Sequence, residues 1–195
     1  MGKVFTQASV SLDGFIAGPG HSGFDKLFAW CRAGDVETPS EDPERLTYRT
    51  NAATAAYLRE MMAGTGALVV GRTLYDMTNG WDGRHPGGLP VFVVTHRAPD
   101  EPIETETPFT FVTDGIESAI EQARKAAGDK AVGVGPGSTV GQAITAGLLD
   151  EIRLDLVPLI LGAGTPMLTG ISDQLALSNP EIIAGQGVTH LIYSC

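Results

Sequence analysis

Three short runs of the chain are almost wholly apolar: Ala67-Leu68-Val69-Val70, Val91-Phe92-Val93-Val94 and Ala131 to Val134. Runs of this length and content predict buried strands, as in a parallel sheet covered on both faces. Lys3 to Leu12 alternates loosely and is rich in β-branched residues, which predicts a first strand, and Phe109 to Thr113 predicts another. Ile152-Arg153-Leu154-Asp155-Leu156-Val157 alternates strictly, so one of its faces is wet or covered by a polar partner. Val188 to Ser194 reads as the last strand, with Pro180 to Ala184 as its antiparallel neighbour and His190 as a structural residue. Helical spacing appears between these runs. Phe24, Leu27, Phe28 and Cys31 form one apolar face over Phe24 to Arg32, and Thr50 to Met62 is helix-forming and stopped at Gly64. Ile116, Ala119, Ile120 and Ala123 stripe a helix from Ile116 to Ala127 behind Asp114 as cap, and Ser138-Thr139 can cap a helix to Ala146. The alternation predicts one α/β domain over residues 1–195: a mixed, mostly parallel central sheet flanked by helices and ending in an antiparallel strand pair.

Composition narrows the class of function. A net charge of −10 and a pI near 4.7 repel polyanions, which argues against nucleic acid or an anionic membrane as partner. No apolar run approaches the roughly 18 residues of a membrane span. Cys31 and Cys195 form neither a metal nor a redox spacing, and the first residues lack a charged-then-apolar signal segment, so a cytoplasmic protein is expected. The acidic stretch Asp35 to Arg45 matches no calcium loop and reads as a solvated surface loop; no metal site is expected.

Candidate chemistry gathers where strands end in glycine. Val132 to Gln142 is strand, turn and helix start, with Gly135 and Gly137 freeing the backbone and Ser138 and Thr139 opening a helix whose N–H groups suit a phosphate. The spacing Gly135-Pro136-Gly137-Ser138-Thr139-Val140-Gly141 fits neither the dinucleotide fingerprint nor a Walker loop, so the turn could equally be a connection without ligand. A second strand and helix start carries Gly71-Arg72-Thr73, and the run Val91 to Val94 ends in Thr95-His96-Arg97. Basic residues at the carboxyl ends of two apolar strands, in so acidic a chain, form the kind of cluster that the 2′-phosphate of NADP requires. Asp13, in the turn Ser11-Leu12-Asp13-Gly14, is either a loop-holding residue or a substrate contact.

Taken in order, Ser11-Leu12-Asp13-Gly14-Phe15-Ile16-Ala17, Val69-Val70-Gly71-Arg72-Thr73, Val94-Thr95-His96-Arg97, Gly135-Pro136-Gly137, Gly147-Leu148-Leu149-Asp150-Glu151-Ile152 and Leu161-Gly162-Ala163-Gly164-Thr165-Pro166 resemble the dihydrofolate reductase fold family. The closer likeness is to its branch containing the riboflavin-biosynthesis (RibD) C-terminal reductase domain. The resemblance spans nearly the whole chain. It implies an NADPH-dependent reductase, homodimeric, passing hydride to a C=N or C=O carbon of a small, heterocyclic substrate. It further implies that Arg72 and Thr73 meet phosphate, with Gly71 at their turn. Thr95, His96 and Arg97 would then meet the adenosine and 2′-phosphate, Gly135, Gly137, Ser138 and Thr139 the pyrophosphate, and Ser9 and Ile16 the nicotinamide amide. For the proton, Asp13 and a water are the candidates.

Three departures separate this chain from its relatives. Pro136 replaces one of two adjacent glycines, removing an N–H; Leu27 stands where folate reductases carry an acid; Phe15 follows Leu-Asp-Gly where pyrimidine reductases commonly carry a basic residue. Dihydrofolate is therefore not the expected substrate. The riboflavin-pathway pyrimidine reductase and a nucleotide-binding module without turnover stand as alternatives.

Overall fold

The computed structural model describes residues 2–100, 105, 106, 108–172 and 174–195. From the N-terminus the elements are β1 (Val4–Ser11), β2 (Phe15–Ala17), α1 (Phe24–Leu27), β3 (Val36–Pro39), β4 (Thr47–Thr50), α2 (Ala52–Gly64), β5 (Thr65–Gly71) and α3 (Arg72–Met77). There follow β6 (Val91–Val94), β7 (Phe109–Val112), α4 (Ile116–Ala127), β8 (Ala131–Val134), α5 (Ser138–Thr145), β9 (Glu151–Val157), β10 (Thr165–Pro166), β11 (Glu181–Ala184) and β12 (Thr189–Ser194).

Eight strands form one sheet in the order β11-β12-β9-β1-β8-β5-β6-β7. Pairing is parallel from β9 to β7, while β12 runs antiparallel to β9 and β11 antiparallel to β12. This is the expected mixed, mostly parallel sheet with a terminal antiparallel pair. The apolar runs became its interior because both their faces are covered. On β5, Ala67 and Val69 join the core under the α4 stripe of Ile116, Ala119, Ile120 and Ala123, whereas Leu68 and Val70 pack with Tyr75, Val91 and Val93. Burying such an aliphatic side chain contributes about 1.5–3 kcal/mol. A third cluster, around Trp30, Tyr57 and Leu58, sits where α2 packs near β11 and β12.

Several local expectations change. The single helix over Phe24 to Arg32 is instead the one-turn α1 followed by a 3-10 turn, Ala29–Arg32. The chain leaves the α path at Phe28 (φ −105°, ψ 10°), which lets Trp30 turn inward and its indole N–H donate to Ser9 Oγ at 2.9 Å. Phe24 and Phe28, two members of that apolar face, are 37% and 47% exposed. The acidic stretch holds β3, paired with β4 in a two-stranded ribbon whose Thr38 is buried. Neither helix cap read from sequence forms: Gly115, not Asp114, precedes α4, and Gly137, not Ser138, precedes α5, both without a side-chain cap bond. Asn51 does cap α2, accepting from Thr54 N–H at 2.9 Å. No described helix is long and apolar enough to cross a membrane.

Candidate active site

Because β8 returns between β1 and β5, the carboxyl ends of β1, β8, β5 and β6 stand side by side, which is where open α/β sheets take their ligands. A cleft of about 880 Å³ opens there. It falls into two chemically different halves.

One half is polar and cationic. Gly71, Arg72 and Thr73 line it from the end of β5, Thr95, His96 and Arg97 from the end of β6, and Gly137, Ser138 and Thr139 from the start of α5; Ser9 and Ile16 join from β1 and β2. Positions far apart in the chain thus share one wall. Gly135 stands a residue behind, its N–H donating to Val69 O at 2.7 Å, and the Gly137 N–H is committed to Met167 O at 2.7 Å. With Pro136 lacking a donor, the turn itself has little to offer an anion. The donors shift one step on, to the first turn of α5, whose N–H groups carry no side-chain cap. A Cβ on Gly71 would lie 2.6 Å from Thr139 Oγ1, so the end of β5 and the α5 N-terminus approach closely.

The two arginines are tied to one loop. Arg72 donates through Nε to Asp76 Oδ1 at 2.7 Å and through Nη1 to the Arg97 carbonyl at 3.2 Å, while Arg97 Nη2 reaches Asp100 Oδ1 at 2.5 Å. Both side chains are exposed, 39% and 77%. Exposed pairs of this kind contribute about 0–1 kcal/mol, so either guanidinium is free to exchange its carboxylate for a phosphate. The residues present fit a phosphorylated dinucleotide, with a helix terminus for the diphosphate and two guanidiniums for a further phosphate.

Asp13 takes the loop-holding alternative. Its carboxylate accepts from Ser11 Oγ at 2.6 Å, Leu161 N at 3.1 Å and Gly162 N at 2.7 Å. These bonds, the Ser11 hydroxyl foremost, hold its pKa below the ordinary aspartate value, so it stays anionic at neutral pH. It pins the loop after β9 and is placed poorly for donating a proton.

The other half is aromatic and apolar, lined by Phe24, Phe28, Trp30, Tyr48, Leu58 and Met61. Gln7, Ser9, Cys31 and Asp155 contribute polar groups to the lining. Sequence reasoning did not single out Asp155, although the strict alternation of β9 demanded a polar partner on that face. The partner is His190, whose Nδ1 lies 2.6 Å from Asp155 Oδ1 in a fully buried contact. Burial, and after it the negative charge of Asp155, pushes the Cys31 thiol from an ordinary 9.0 up to about 12. Burial likewise raises the Tyr48 phenol. At pH 8 the Cys31 thiolate population is then about a thousandfold below that of an ordinary thiol, and alkylation by iodoacetamide is expected to be slower by a comparable factor. Peptide mapping by mass spectrometry reads this directly; labelling of Cys31 at the rate of free cysteine would contradict it.

The family model of the RibD C-terminal domain matches residues 2–188. The chain belongs to this family. It is a family of NADPH-dependent reductases, so the chain is a RibD C-terminal, reductase-type domain. Among solved structures, a Shewanella sp. PV-4 protein assigned by name to riboflavin biosynthesis is 22% identical, with a TM-score of 0.75 over 98% of each chain. A Thermotoga maritima diaminohydroxyphosphoribosylaminopyrimidine deaminase/5-amino-6-(5-phosphoribosylamino)uracil reductase is 14% identical, with a TM-score of 0.64 over 99% of this chain and 56% of that one. Enterococcus faecalis dihydrofolate reductase, solved with NADP(H), is 15% identical with a TM-score of 0.50, covering 98% and 94%. At these identities the likeness is one of fold, and the RibD C-terminal domain shares the dihydrofolate reductase architecture. No curated protein matches the chain.

Proposed function

We propose that this RibD C-terminal domain is an NADPH-dependent reductase of a small, unphosphorylated heterocycle, carrying hydride to a C=N or C=O carbon. One observation carries the reading: an uncapped helix start and two guanidiniums line the same cleft as a set of aromatic side chains. The α5 first turn would hold the diphosphate, Arg72 and Arg97 the 2′-phosphate, and Ser9 and Ile16 the nicotinamide end. Bound there, the cofactor supplies hydride from its nicotinamide ring. The chain's own part is to orient and to exclude water: Phe24 and Phe28 flank the mouth of the apolar half, and Trp30 and Leu58 line its buried part. Among the described residues that line this half there is no lysine or arginine, which argues against a phosphorylated ribose on the substrate.

The test is calorimetric titration with NADPH and with NADH, followed by absorbance at the nicotinamide band against a panel of cyclic imines and ketones. Micromolar NADPH binding, about tenfold or more over NADH, and oxidation with a panel member are expected. Binding with no oxidation across the panel would leave a nucleotide-binding module, and no binding of either nucleotide would end the reading. Two further assignments belong to the proposal. The free thiols Cys31 and Cys195 suit a reducing compartment, and we place the protein in the cytoplasm. A homodimer is expected as well, β11 being an exposed sheet edge with Ile182 63% exposed; equilibrium sedimentation should return twice 20.4 kDa, and a mass of 20.4 kDa would exclude it.

A further inference from the structure

Ser9, Asp155 and His190 lie in one row across β1, β9 and β12, paired Ser9 to Asp155 and Asp155 to His190. Strands parallel at one junction and antiparallel at the next bring the three side chains to the same face of the sheet, at the floor of the aromatic half of the cleft. Asp155 is 3% exposed yet lines that floor. Its Oδ1 accepts from His190 Nδ1 at 2.6 Å and its Oδ2 from Gln7 Nε2 at 2.9 Å. His190 is anchored in turn, with Nε2 3.0 Å from Thr54 Oγ1 and its ring against Trp30 and Tyr57.

A carboxylate in such surroundings is costly unless its acceptor positions are filled. A carboxylate offers about four lone-pair sites, and the protein bonds above use two. The remaining acceptor capacity belongs to a group that borders a cavity with aromatic walls. No lysine or arginine among the described residues lines this half to neutralise it.

We propose that Asp155 is the group that selects the substrate, accepting hydrogen bonds from the N–H groups of a flat amidine-like or protonated imine ligand and rejecting anionic ones. His190 and Gln7 hold the carboxylate, and Phe28 and Trp30 flank the ring of the ligand. This rests on the reductase reading for its biological sense, but the recognition itself does not require cofactor. The substrate class is therefore a planar nitrogen heterocycle or cyclic imine that presents N–H donors at one edge. Where the acceptor is a C=N bond already protonated on nitrogen, hydride addition to carbon turns the C=N double bond into a single bond. The nitrogen keeps its proton and the former double-bond pair, and Asp155 gives up no proton.

The experiment titrates three isosteric probes, benzamidine, benzamide and benzoate, into the full chain by calorimetry, with and without NADPH. The expected order is benzamidine at least tenfold tighter than benzamide, with benzoate weakest. Asp155→Asn, which keeps the shape and removes the charge, should erase the benzamidine preference while NADPH affinity stays within twofold. Phe28→Ala, at an exposed position on the cleft wall, should weaken benzamidine severalfold and so locate the probe. Equal affinities for the three probes in the unaltered protein would overturn the proposal. So would an unchanged preference in a folded Asp155→Asn, or indifference of benzamidine to Phe28→Ala. If Asp155→Asn does not fold, the probe order together with Phe28→Ala decides. Benzamidine selectivity without any NADPH binding would retain this site and remove the reductase reading; NADPH binding without probe selectivity would do the reverse.

Discussion

Arg72→Ala is expected to weaken NADPH by about 1.5–3 kcal/mol, roughly ten- to 150-fold, and NADH by less than about twofold. In the structure the Arg72 guanidinium is spent on Asp76 and on the carbonyl of Arg97, contacts of an exposed side chain that are worth little. A phosphate dianion outcompetes both, because guanidinium and phosphate pair bidentately and with full charge. NADH lacks that phosphate and loses only a polar neighbour. Arg97→Ala should act in the same direction with a smaller effect, since its side chain is 77% exposed and better screened. Calorimetric titration of both nucleotides into both variants is the measurement. Equal losses for NADPH and NADH would move the 2′-phosphate away from this pair of arginines. Raising the salt concentration should shrink the difference, as it does for any exposed charge pair.

Gly164→Ala is expected to lower stability by about 2–4 kcal/mol, adding backbone strain to steric overlap. For a chain of this size that is a fall of roughly 5–15 °C in melting temperature. Gly164 has φ +145°, where only glycine is comfortable, and a Cβ there would lie 1.9 Å from the carbonyl oxygen of Ala17. The neighbour is backbone held in the β2 and β10 pairing, so it has nowhere to move. Gly162→Ala is the control. It shares a positive φ, +78°, but a Cβ there meets nothing within 4 Å, leaving about 1–2 kcal/mol of strain alone. A Gly164→Ala melting temperature no lower than that of Gly162→Ala would refute the close-approach account. Because Ile16, Ala17 and Thr165 all border the cleft, the folded fraction of Gly164→Ala should also bind nucleotide more weakly.

The parts of the cleft that could be read in advance share a property. Thr95 to Arg97 follow an apolar run immediately, Arg72 and Thr73 after a single glycine, and Ser138 and Thr139 after the short turn Gly135-Pro136-Gly137, so their place at a strand's carboxyl end is written in nearby residues. The helix α4 was equally plain, because a stripe at Ile116, Ala119, Ile120 and Ala123 needs only the 3.6-residue period. Where the reading failed, a distant contact had overruled a local preference. The pattern over Phe24 to Arg32 is helical, but the chain leaves the α path at Phe28; Trp30 then bonds Ser9, twenty-one residues back in the chain, and Phe24 and Phe28 line the cleft. Ser138 is a good cap by type, but the turn brings Gly137 to that position and leaves the helix start open toward the cleft.

The sequence by itself determined the fold class, the family and the cationic half of the cleft, because apolar period, glycine breaks and charge placement are properties of neighbouring residues. Only the tertiary structure decided the aromatic half and its buried carboxylate. Ser9, Asp155 and His190 become neighbours through the register of three strands that are not consecutive in the chain, and no local pattern encodes that register. The same holds for Asp13, whose carboxylate accepts from the amides of Leu161 and Gly162, well over a hundred residues further along the chain. Local sequence states which groups a segment carries; what each group faces is set when the sheet closes and burial selects one pairing.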